Sequence, residues 1–208
     1  MDIVVLDLDQ TVISSEILKK SYAEEGDKVY DIESNREKSK LFEYQNMEGM
    51  YVIFERPHLQ EFMDFLFANF RVGVWTAASQ DYANFIVKNI LIKNYKNRKL
   101  EFFMCSYHGD KSSAMYKGPK DLDMIVELYK NNCSKRNILI VDDYIEVYKV
   151  QPRNCIMAKE FCYFNENSEK DEFLLNVMDK LKEYLKKKSE DGRSQYLLNE
   201  TIEKINNR

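Results

Sequence analysis

Residues 3–11 read IVVLDLDQT, an aliphatic run that ends in two aspartates two positions apart. The run predicts a buried strand, and ionised carboxylates at the edge of a core need a hydrogen-bonding partner or a metal ion. A strand that brings Asp7 and Asp9 to its carboxyl end, with Thr11 just beyond, is suited to holding a cation and to nucleophilic chemistry. The alternative is a strand followed by an ordinary turn, since turns favour aspartate.

The composition of the chain is that of a folded domain. Its 208 residues are 44% hydrophobic and 32% charged, which predicts one domain with a sizeable core rather than a disordered chain. The formal net charge is −4 at pH 7, so the chain as a whole does not attract nucleic acid or an anionic membrane surface. We therefore expect neither a nucleic-acid nor a membrane partner, and the sequence does not predict an oligomeric state.

Cysteine usage and the amino terminus bear on where the protein is located. The four cysteines are Cys105, Cys133, Cys155 and Cys162. No two of them form a CxxC pair and the chain has only 2 histidines, which argues against a structural zinc site and for reduced thiols. The apolar runs are far shorter than the about 20 residues of a membrane-spanning helix. Because the first predicted strand starts at residue 3, we expect no presequence. We expect a cytoplasmic or nuclear protein, neither secreted nor membrane-spanning.

Short apolar runs alternate along the chain with amphipathic segments, a pattern typical of an α/β fold with a mainly parallel sheet. The predicted strands are 3–8, 71–75, 101–107, 137–141 and 155–158. The predicted helices are 58–70, one that follows Ser79, 121–129, 168–187 and 194–206. Residues 189–193, SEDGR, separate the last two helices, so we assign residues 1–188 to one domain and 189–208 to a C-terminal helical tail.

The segment 12–54 departs from this alternation because it is polar and charged. Two strand-like runs at its end flank a turn near Glu48 and Gly49, which predicts a β-hairpin. A parallel crossover needs only a helix between its strands. An insert of this size is therefore expected to cover or shape the face of the sheet that binds ligands.

Functional side chains follow three of the predicted strands, at their carboxyl ends. They are Asp7, Asp9 and Thr11 after the first strand, Thr76 after 71–75, Asp142 and Asp143 after 137–141, and Lys120 in the loop before a helix. Ligands of an open α/β sheet bind outside the carboxyl ends of its strands. We therefore expect these side chains to converge on one site.

Phosphoryl transfer through an aspartyl-phosphate is the chemistry that needs this set. A carboxylate with a pKa of about 3.9 is ionised at neutral pH and needs no base to act as a nucleophile. Mg²⁺ bound by carboxylates would reduce its repulsion from a phosphate dianion. The second aspartate can protonate the leaving alkoxide and then activate water, while Thr76 and Lys120 neutralise the transferring group.

Five short motifs make the chain similar to a known family. DLDQT, at residues 7–11, resembles the DxDxT motif of the haloacid dehalogenase superfamily. RPHLQEF, WTAAS followed by DYA, PKDL and IVDD come in the order of its RNA polymerase II C-terminal-domain (CTD) phosphatase-like family, the small CTD phosphatases and NLI-interacting-factor-like proteins. The similarity covers roughly residues 1–165. It implies a Rossmann-like haloacid dehalogenase fold in which the insert forms a small sheet beside the substrate.

The resemblance also implies roles for individual residues. Asp7 becomes the nucleophile, and Asp9 becomes the general acid and base. Asp143 would bind Mg²⁺ together with Asp7 and the backbone carbonyl of Asp9, and Asp142 would support the metal or the lysine. The implied phosphate-binding residues are Thr11, Thr76, Ala77 and Lys120.

Purely structural interpretations of the same residues stay open. Thr76 fits a turn or capping hydroxyl. Asp142 and Asp143 fit the cap of the following helix. Lys120 fits a solvated surface lysine, with Lys117 as its rival for the site.

The predicted function is that of a Mg²⁺-dependent phosphatase of the RNA polymerase II CTD phosphatase type, acting on phosphoserine or phosphothreonine in proteins. Its partner would be a phosphoprotein or phosphopeptide, with the polymerase CTD as one candidate. Two alternatives stay open. The first is a phosphatase for nucleotides, nucleic-acid ends or small phosphoesters, and the second is a catalytically weak module that binds a partner.

Overall fold

A five-stranded parallel sheet forms the centre of the protein. The computed structural model describes residues 1–24, 28–129, 133–191 and 194–207. The strands of this sheet are β1 (Ile3–Leu6), β5 (Arg71–Trp75), β6 (Phe102–Met104), β7 (Ile138–Asp142) and β8 (Cys155–Met157), in the spatial order β6-β5-β1-β7-β8. Every pairing in it is parallel, which confirms the predicted α/β fold.

Helices cover both faces of the central sheet. One face carries α2 (Leu59–Asn69), α3 (Gln80–Ile86), α7 (Phe173–Asp191) and α8 (Ser194–Asn206), and the other carries α5 (Leu122–Leu128) and α6 (Ile145–Val150). The remaining named helices are α1 (Arg36–Ser39) and α4 (Ser106–Met115). Successive side chains of a strand point to opposite faces. Val4 therefore packs in the core under the first group of helices, and Val5 packs in the core under α5 and α6.

Among the described residues, no helix combines the length and the apolar character needed to cross a membrane.

The insert folds into a second, antiparallel sheet of three strands. They are β2 (Ile13–Ile17), β3 (Tyr44–Met47) and β4 (Tyr51–Glu55), in the spatial order β2-β4-β3. β3 and β4 form the predicted hairpin. Its turn places Glu48 and Gly49 at φ of 51° and 73°, the left-handed region that glycine adopts freely. Sequence reasoning missed β2, whose residues ISSEI are neither an apolar run nor an alternating pattern.

Aromatic side chains attach the small sheet to the segment after β8. Phe54 of β4 stacks on Tyr163 with ring centroids 3.9 Å apart, and the hydroxyl of Tyr30 donates to that of Tyr163 (2.9 Å). In the same segment the Phe161 amide donates to the carbonyl of Gln10 (2.6 Å). The insert is therefore held next to the loop that follows β1.

The strand predicted over 101–107 is shorter than expected. β6 ends at Met104, and α4, a helix that the sequence did not predict, follows it. Cys105 lies at the N-cap of α4, where its amide donates a 3.2 Å hydrogen bond to Nδ1 of His108. Reciprocal capping of this kind satisfies amides that have no partner within the helix, and here it ends the strand.

The helix predicted over 168–187 is displaced along the chain. α7 starts at Phe173 because Asp171 accepts a 3.0 Å hydrogen bond from the Phe173 amide and caps the helix. The boundary predicted between residues 188 and 189 falls inside α7, and residues 192 and 193 of the predicted break lie outside the described residues. α8 packs into the core through Leu198 and Ile202, which are both buried.

Candidate active site

Asp7 lies at the carboxyl end of β1. Its amide donates to the carbonyl of Val141 in β7 (3.0 Å), which extends the strand pairing by one residue and fixes the backbone. The residue is only 6% exposed. Because burying a carboxylate without partners is costly, the contacts of Asp7 decide what it can do.

Lys120 supplies a buried cation to the site. Its ammonium donates to Oδ1 of Asp7 (2.5 Å) and to Oδ2 of Asp142 (2.8 Å). Burial alone would lower the pKa of Lys120, but the two carboxylates raise it above its ordinary value, so the ammonium stays charged. The rival Lys117 is 74% exposed, and its ammonium lies 3.8 Å from a carboxylate oxygen of Asp123. Lys117 therefore lies outside the group that Lys120 forms with Asp7 and Asp142.

Thr11 joins the loop after β1 to the end of β7. Its hydroxyl lies 2.8 Å from Oδ1 of Asp143 and 3.2 Å from Oδ2 of Asp7, and it accepts a hydrogen bond from the Asp143 amide (3.1 Å). A hydroxyl has one hydrogen to donate, so that hydrogen is shared between the two carboxylates. Thr11 is fully buried, and its contacts position the two aspartates.

Arg56 holds the backbone of the same loop. Its Nη1 donates to the carbonyl of Thr11 (2.8 Å), while Nε and Nη2 donate to the two oxygens of Asp171, each at 2.8 Å. The guanidinium carbon lies 4.4 Å from the ring centroid of Phe173. The loop is therefore fastened both to the end of the insert and to the start of α7.

Asp9 accepts a hydrogen bond from a tyrosine that the sequence did not identify as a site residue. The hydroxyl of Tyr82 donates to Oδ1 of Asp9 (2.5 Å). Burial raises the pKa of Asp9 to about 6, the Tyr82 hydrogen bond opposes this rise and the charge of Asp7 adds to it. A carboxyl group with such a pKa can both give and accept a proton near neutral pH. Tyr82 lies in the first turn of α3, the helix that follows β5 and Thr76. Its position close to the carboxyl end of a strand that carries a site residue could have identified it from the sequence.

Thr76 follows β5 and shapes a turn. Its amide donates to the carbonyl of Met104 (3.0 Å), and its hydroxyl accepts from the Ala78 amide (3.1 Å). The interpretation of this side chain as a turn hydroxyl is therefore correct. Because that contact uses the oxygen as acceptor, the hydroxyl hydrogen can still be donated to a ligand.

Asp142 and Asp143 end β7 in different surroundings. Asp142 is fully buried, and its oxygens accept from Lys120 and from the Tyr144 amide (2.9 Å) at the start of α6. The predicted contact with the following helix is therefore present, together with the ion pair. Asp143 is partly exposed, and burial raises the pKa of its carboxyl group, while the hydrogen bond from Thr11 opposes the rise.

A cavity of about 390 Å³, the Asp7 cavity, collects most of the predicted residues. Its lining includes Asp7, Asp9, Thr76, Ala77, Lys120 and Asp143. Thr11 and Asp142 do not line it and lie behind those that do. A further wall comes from α4, through Ser106, Gly109, Asp110 and Ser113. Sequence reasoning missed this wall because it assigned 101–107 to a strand, although the strand-end rule would have pointed to Ser106.

A second groove, the hairpin groove, opens beside Asp9. It measures about 570 Å³, and its walls come from the hairpin, through Met47, Met50 and Tyr51, and from the start of α3, through Tyr82. It shares Asp9 and Ala78 with the Asp7 cavity. The two spaces therefore adjoin at these two residues, and a ligand seated at Asp7 can extend into the hairpin groove.

Three carboxylates of the site are close enough to share a metal ion. One oxygen from each of Asp7, Asp142 and Asp143 lies within 4.8 Å of the others. Mg²⁺ prefers carboxylate and carbonyl oxygens, so this donor set fits it. Asp9 adds a fourth carboxylate, and Lys120 offsets only part of the charge. A divalent cation would therefore lower the electrostatic cost of binding a phosphate dianion here.

Comparison with known proteins identifies the family. Residues 2–193 match the family described as NLI interacting factor-like phosphatase. The chain belongs to this family. It is thus a phosphatase, a hydrolase of phosphoric monoesters, and the resemblance read from five short motifs is confirmed.

Viral proteins are among the relatives of this phosphatase. It is 41% identical over 187 residues to the CTD phosphatase-like protein 355R of Invertebrate iridescent virus 3, a match that covers 88% of this chain and 96% of that protein. It is 35% identical over 186 residues to the protein of the same name in Invertebrate iridescent virus 6, covering 88% of this chain and 98% of that one.

The fold of the phosphatase is similar to that of the fission yeast RNA polymerase II CTD phosphatase Fcp1 bound to beryllium fluoride. The TM-score is 0.52 at 16% sequence identity, and the match covers 99% of this chain. The phosphatase spans 62% of the length of that Fcp1 chain. The likeness confirms the haloacid dehalogenase-type architecture that the sequence predicted.

Proposed function

We propose that this phosphatase removes phosphate from phosphoserine and phosphothreonine in proteins through an aspartyl-phosphate formed on Asp7. The observation that carries the proposal is the setting of Asp7, whose buried carboxylate lines the cavity and contacts Lys120 and Thr11. An ionised carboxylate attacks phosphorus without the help of a base. Contacts that fix its orientation lower the entropic part of the barrier.

In the first half-reaction a carboxylate oxygen of Asp7 attacks the phosphorus of the monoester. The bond between phosphorus and Asp7 forms as the bond between phosphorus and the seryl or threonyl oxygen breaks. Protonated Asp9 transfers its proton to that leaving oxygen, so the protein product carries a neutral hydroxyl. The Lys120 ammonium and the Thr76 hydroxyl stabilise the charge on the transferring oxygens.

In the second half-reaction Asp9, now ionised, accepts a proton from a water molecule whose oxygen attacks the phosphorus. The bond between phosphorus and Asp7 breaks, inorganic phosphate leaves and both aspartates return to their starting states. The pKa of about 6 that burial gives Asp9 suits a group that must both donate and accept a proton. Tyr82 holds one oxygen of Asp9 throughout.

Mg²⁺ is the proposed cofactor of the reaction. Asp7, Asp143 and the backbone carbonyl of Asp9 would hold it, while Asp142 keeps its contact with Lys120. The ion, when bound, supplies positive charge that offsets the charge of the phosphate oxygens. The excess of carboxylates over ammonium groups around Asp7 supports this assignment.

The proposed substrate is a phosphorylated peptide segment, and the hairpin groove supports this choice. A peptide with its phosphate at Asp7 can place neighbouring side chains against Met47, Met50 and Tyr51. A small phosphoester seated at Asp7 would not extend into this groove, whose lining combines these side chains with polar ones such as Ser15 and Asp81. The viral relatives carry the words CTD phosphatase-like in their names, so phosphoserine peptides of the RNA polymerase II CTD are the first to test.

Kinetics with two kinds of substrate test the proposal. Hydrolysis of an aryl phosphate should stop in EDTA, return with Mg²⁺ and fall at least about 1,000-fold in Asp7→Asn. Turnover that survives Asp7→Asn would contradict the aspartyl-phosphate step. The values of kcat/KM on CTD heptad peptides, phosphorylated at alternative serines, should exceed those on nucleotides. A preference for nucleotides by orders of magnitude would contradict the protein substrate.

A further inference from the structure

A cavity separate from the active site lies between the edge of the central sheet and the carboxy-terminal helices. It measures about 440 Å³, within the range of about 300–1,000 Å³ typical of small-molecule sites. One wall comes from the end of β8, a second from the start of α7 and a third from the end of α8. This helix-pair cavity shares no lining residue with the Asp7 cavity or the hairpin groove.

The interior of the helix-pair cavity is apolar. Met157 is the last residue of β8 and Ala158 follows it, while Phe173 lies in the first turn of α7 and Ile205 in the last turn of α8. Ala158 is buried and the other three are half-buried. Side chains of this kind bind a hydrocarbon body by removing it from water.

The acidic and amide groups in the wall are already engaged. Asp171 lines the cavity, but both its oxygens accept hydrogen bonds from the guanidinium of Arg56. The side chain of Asn206 bridges the outer edge of β8, where it accepts from the Met157 amide (2.8 Å) and donates to the Cys155 carbonyl (2.9 Å). The carboxylate in the wall is therefore neutralised from inside the protein and does not repel an anion.

Two lysines at the rim supply the charge that a ligand would meet. Lys159 is exposed and enters no ion pair with a carboxylate in the part of the chain that the structure describes. Lys180 of α7 is 18% exposed and contacts Glu183 at 2.8 Å, so this carboxylate offsets part of its charge and Lys159 is the stronger positive charge at the rim. The amino-terminal end of α7 adds positive potential. An apolar interior thus meets a cationic rim.

We propose that the helix-pair cavity binds an amphipathic anion, a carboxylate with a hydrocarbon tail of the fatty-acid type. The carboxylate lies at the two rim lysines, and the tail lies against the apolar interior. This site is independent of the proposed function, because it uses none of the residues assigned to phosphoryl transfer.

Binding of dodecanoate to the intact chain tests the proposal. Amide chemical shifts in a ¹H–¹⁵N spectrum should saturate at one equivalent and concentrate at residues 157–159 and at Phe173. Dodecyltrimethylammonium, with the same tail and the opposite charge, should bind at least about tenfold more weakly. An absence of saturable shifts below the micelle concentration, or shifts that concentrate at the Asp7 cavity, would overturn the proposal.

Charge reversal at the rim tests where the carboxylate lies. Lys159→Glu should weaken dodecanoate binding about tenfold or more. The matched control is Lys182→Glu on α7, because Lys182 is 51% exposed and does not line the cavity; its affinity should stay within about twofold of wild type. Equal effects of the two variants would overturn the proposal.

A cavity-filling variant provides a second, charge-independent test. Ile205→Trp should reduce the affinity for dodecanoate by occupying the space of the tail, and urea unfolding would verify that the variant folds. Unchanged affinity in a folded Ile205→Trp would overturn the proposal. Asp7→Asn should bind dodecanoate like wild type, so failure of this site and failure of the proposed phosphatase reaction are distinguishable.

Discussion

Lys120 places an ammonium group, buried between two carboxylates, in the candidate active site. It contacts Asp7 and Asp142 at 2.5 and 2.8 Å. Removing one member of a buried ion pair costs about 3–5 kcal/mol, because the remaining charge has lost its partner. Lys120 therefore stabilises the fold and orients the proposed nucleophile, and these two effects can be measured separately.

We expect Lys120→Met to lower the free energy of unfolding by about 3 kcal/mol and kcat for an aryl phosphate at least about 100-fold. Asp142 would be left buried without its cation, and the phosphate would lose a donor. Urea unfolding and steady-state kinetics measure the two effects. Lys117→Met, at a residue that is 74% exposed, should match wild type in both. A folded Lys120→Met with wild-type kcat would contradict the phosphate-binding role.

The hydroxyl of Tyr82 tests whether Asp9 must be held in place. Tyr82→Phe keeps the ring in the hairpin groove and removes the hydroxyl that donates to Asp9. We expect kcat for an aryl phosphate to fall about tenfold with KM nearly unchanged, because Asp9, the proposed proton-transferring group, would be less well oriented. Tyr107→Phe is the matched control, since Tyr107 is 68% exposed on α4. A change in KM alone would show that the hydroxyl acts on substrate binding.

At the scale of elements, the hairpin contributes both to the fold and to the groove. β4 is the middle strand of the small sheet, and its residues Ile53 and Phe54 are fully buried. Removing the whole hairpin would therefore expose core side chains. A single substitution near its tip separates substrate binding from folding, because Met50 is half-buried and lines the groove.

Met50→Glu should lower kcat/KM on CTD phosphopeptides about tenfold or more, because a carboxylate would replace an apolar contact. Hydrolysis of an aryl phosphate should stay at the wild-type rate, since that small substrate does not extend into the groove. Leu41→Glu provides the control: Leu41 lies in the insert, is 60% exposed and does not line the groove. Equal losses on both substrates would show that Met50 acts on the fold instead.

At the scale of the whole molecule, the central sheet was predictable because its strands are short apolar runs. Because the sheet is parallel, Asp7, Thr76 and Asp142 must lie together at the carboxyl ends of its strands, and they do. Which lysine joins them could not be predicted in the same way. Lys117 and Lys120 lie three positions apart in the same loop, and local sequence does not separate them, whereas the family motif and the buried contacts of Lys120 do.

The features that sequence reasoning missed depend on contacts between distant segments. The polar β2 is a strand because it pairs along its length with β4. The spacing of Tyr82 fits a core position of a helix, and only the packing of α3 beside the insert brings its hydroxyl to Asp9. α4 starts where it does because of the contact between Cys105 and His108, which hydrophobic periodicity does not reveal.

The side chain of Asn206, at the end of α8, hydrogen-bonds to the outer edge of the central sheet. β8 is an edge strand, and the side chain of Asn206 satisfies the Met157 amide and the Cys155 carbonyl on its open side. Unpaired groups on an edge strand are sites at which another chain can add. α8 therefore protects the sheet as well as packing against it.

Asn206→Ala should lower the free energy of unfolding by about 1–3 kcal/mol, because two backbone groups lose their partners. It should also raise light scattering at high protein concentration, because the open edge can pair with another chain. Asn207→Ala, at the next residue, which is exposed, should match wild type in urea unfolding and in scattering. If the two variants behaved alike, the bulk of α8, rather than the amide of Asn206, would be what protects β8.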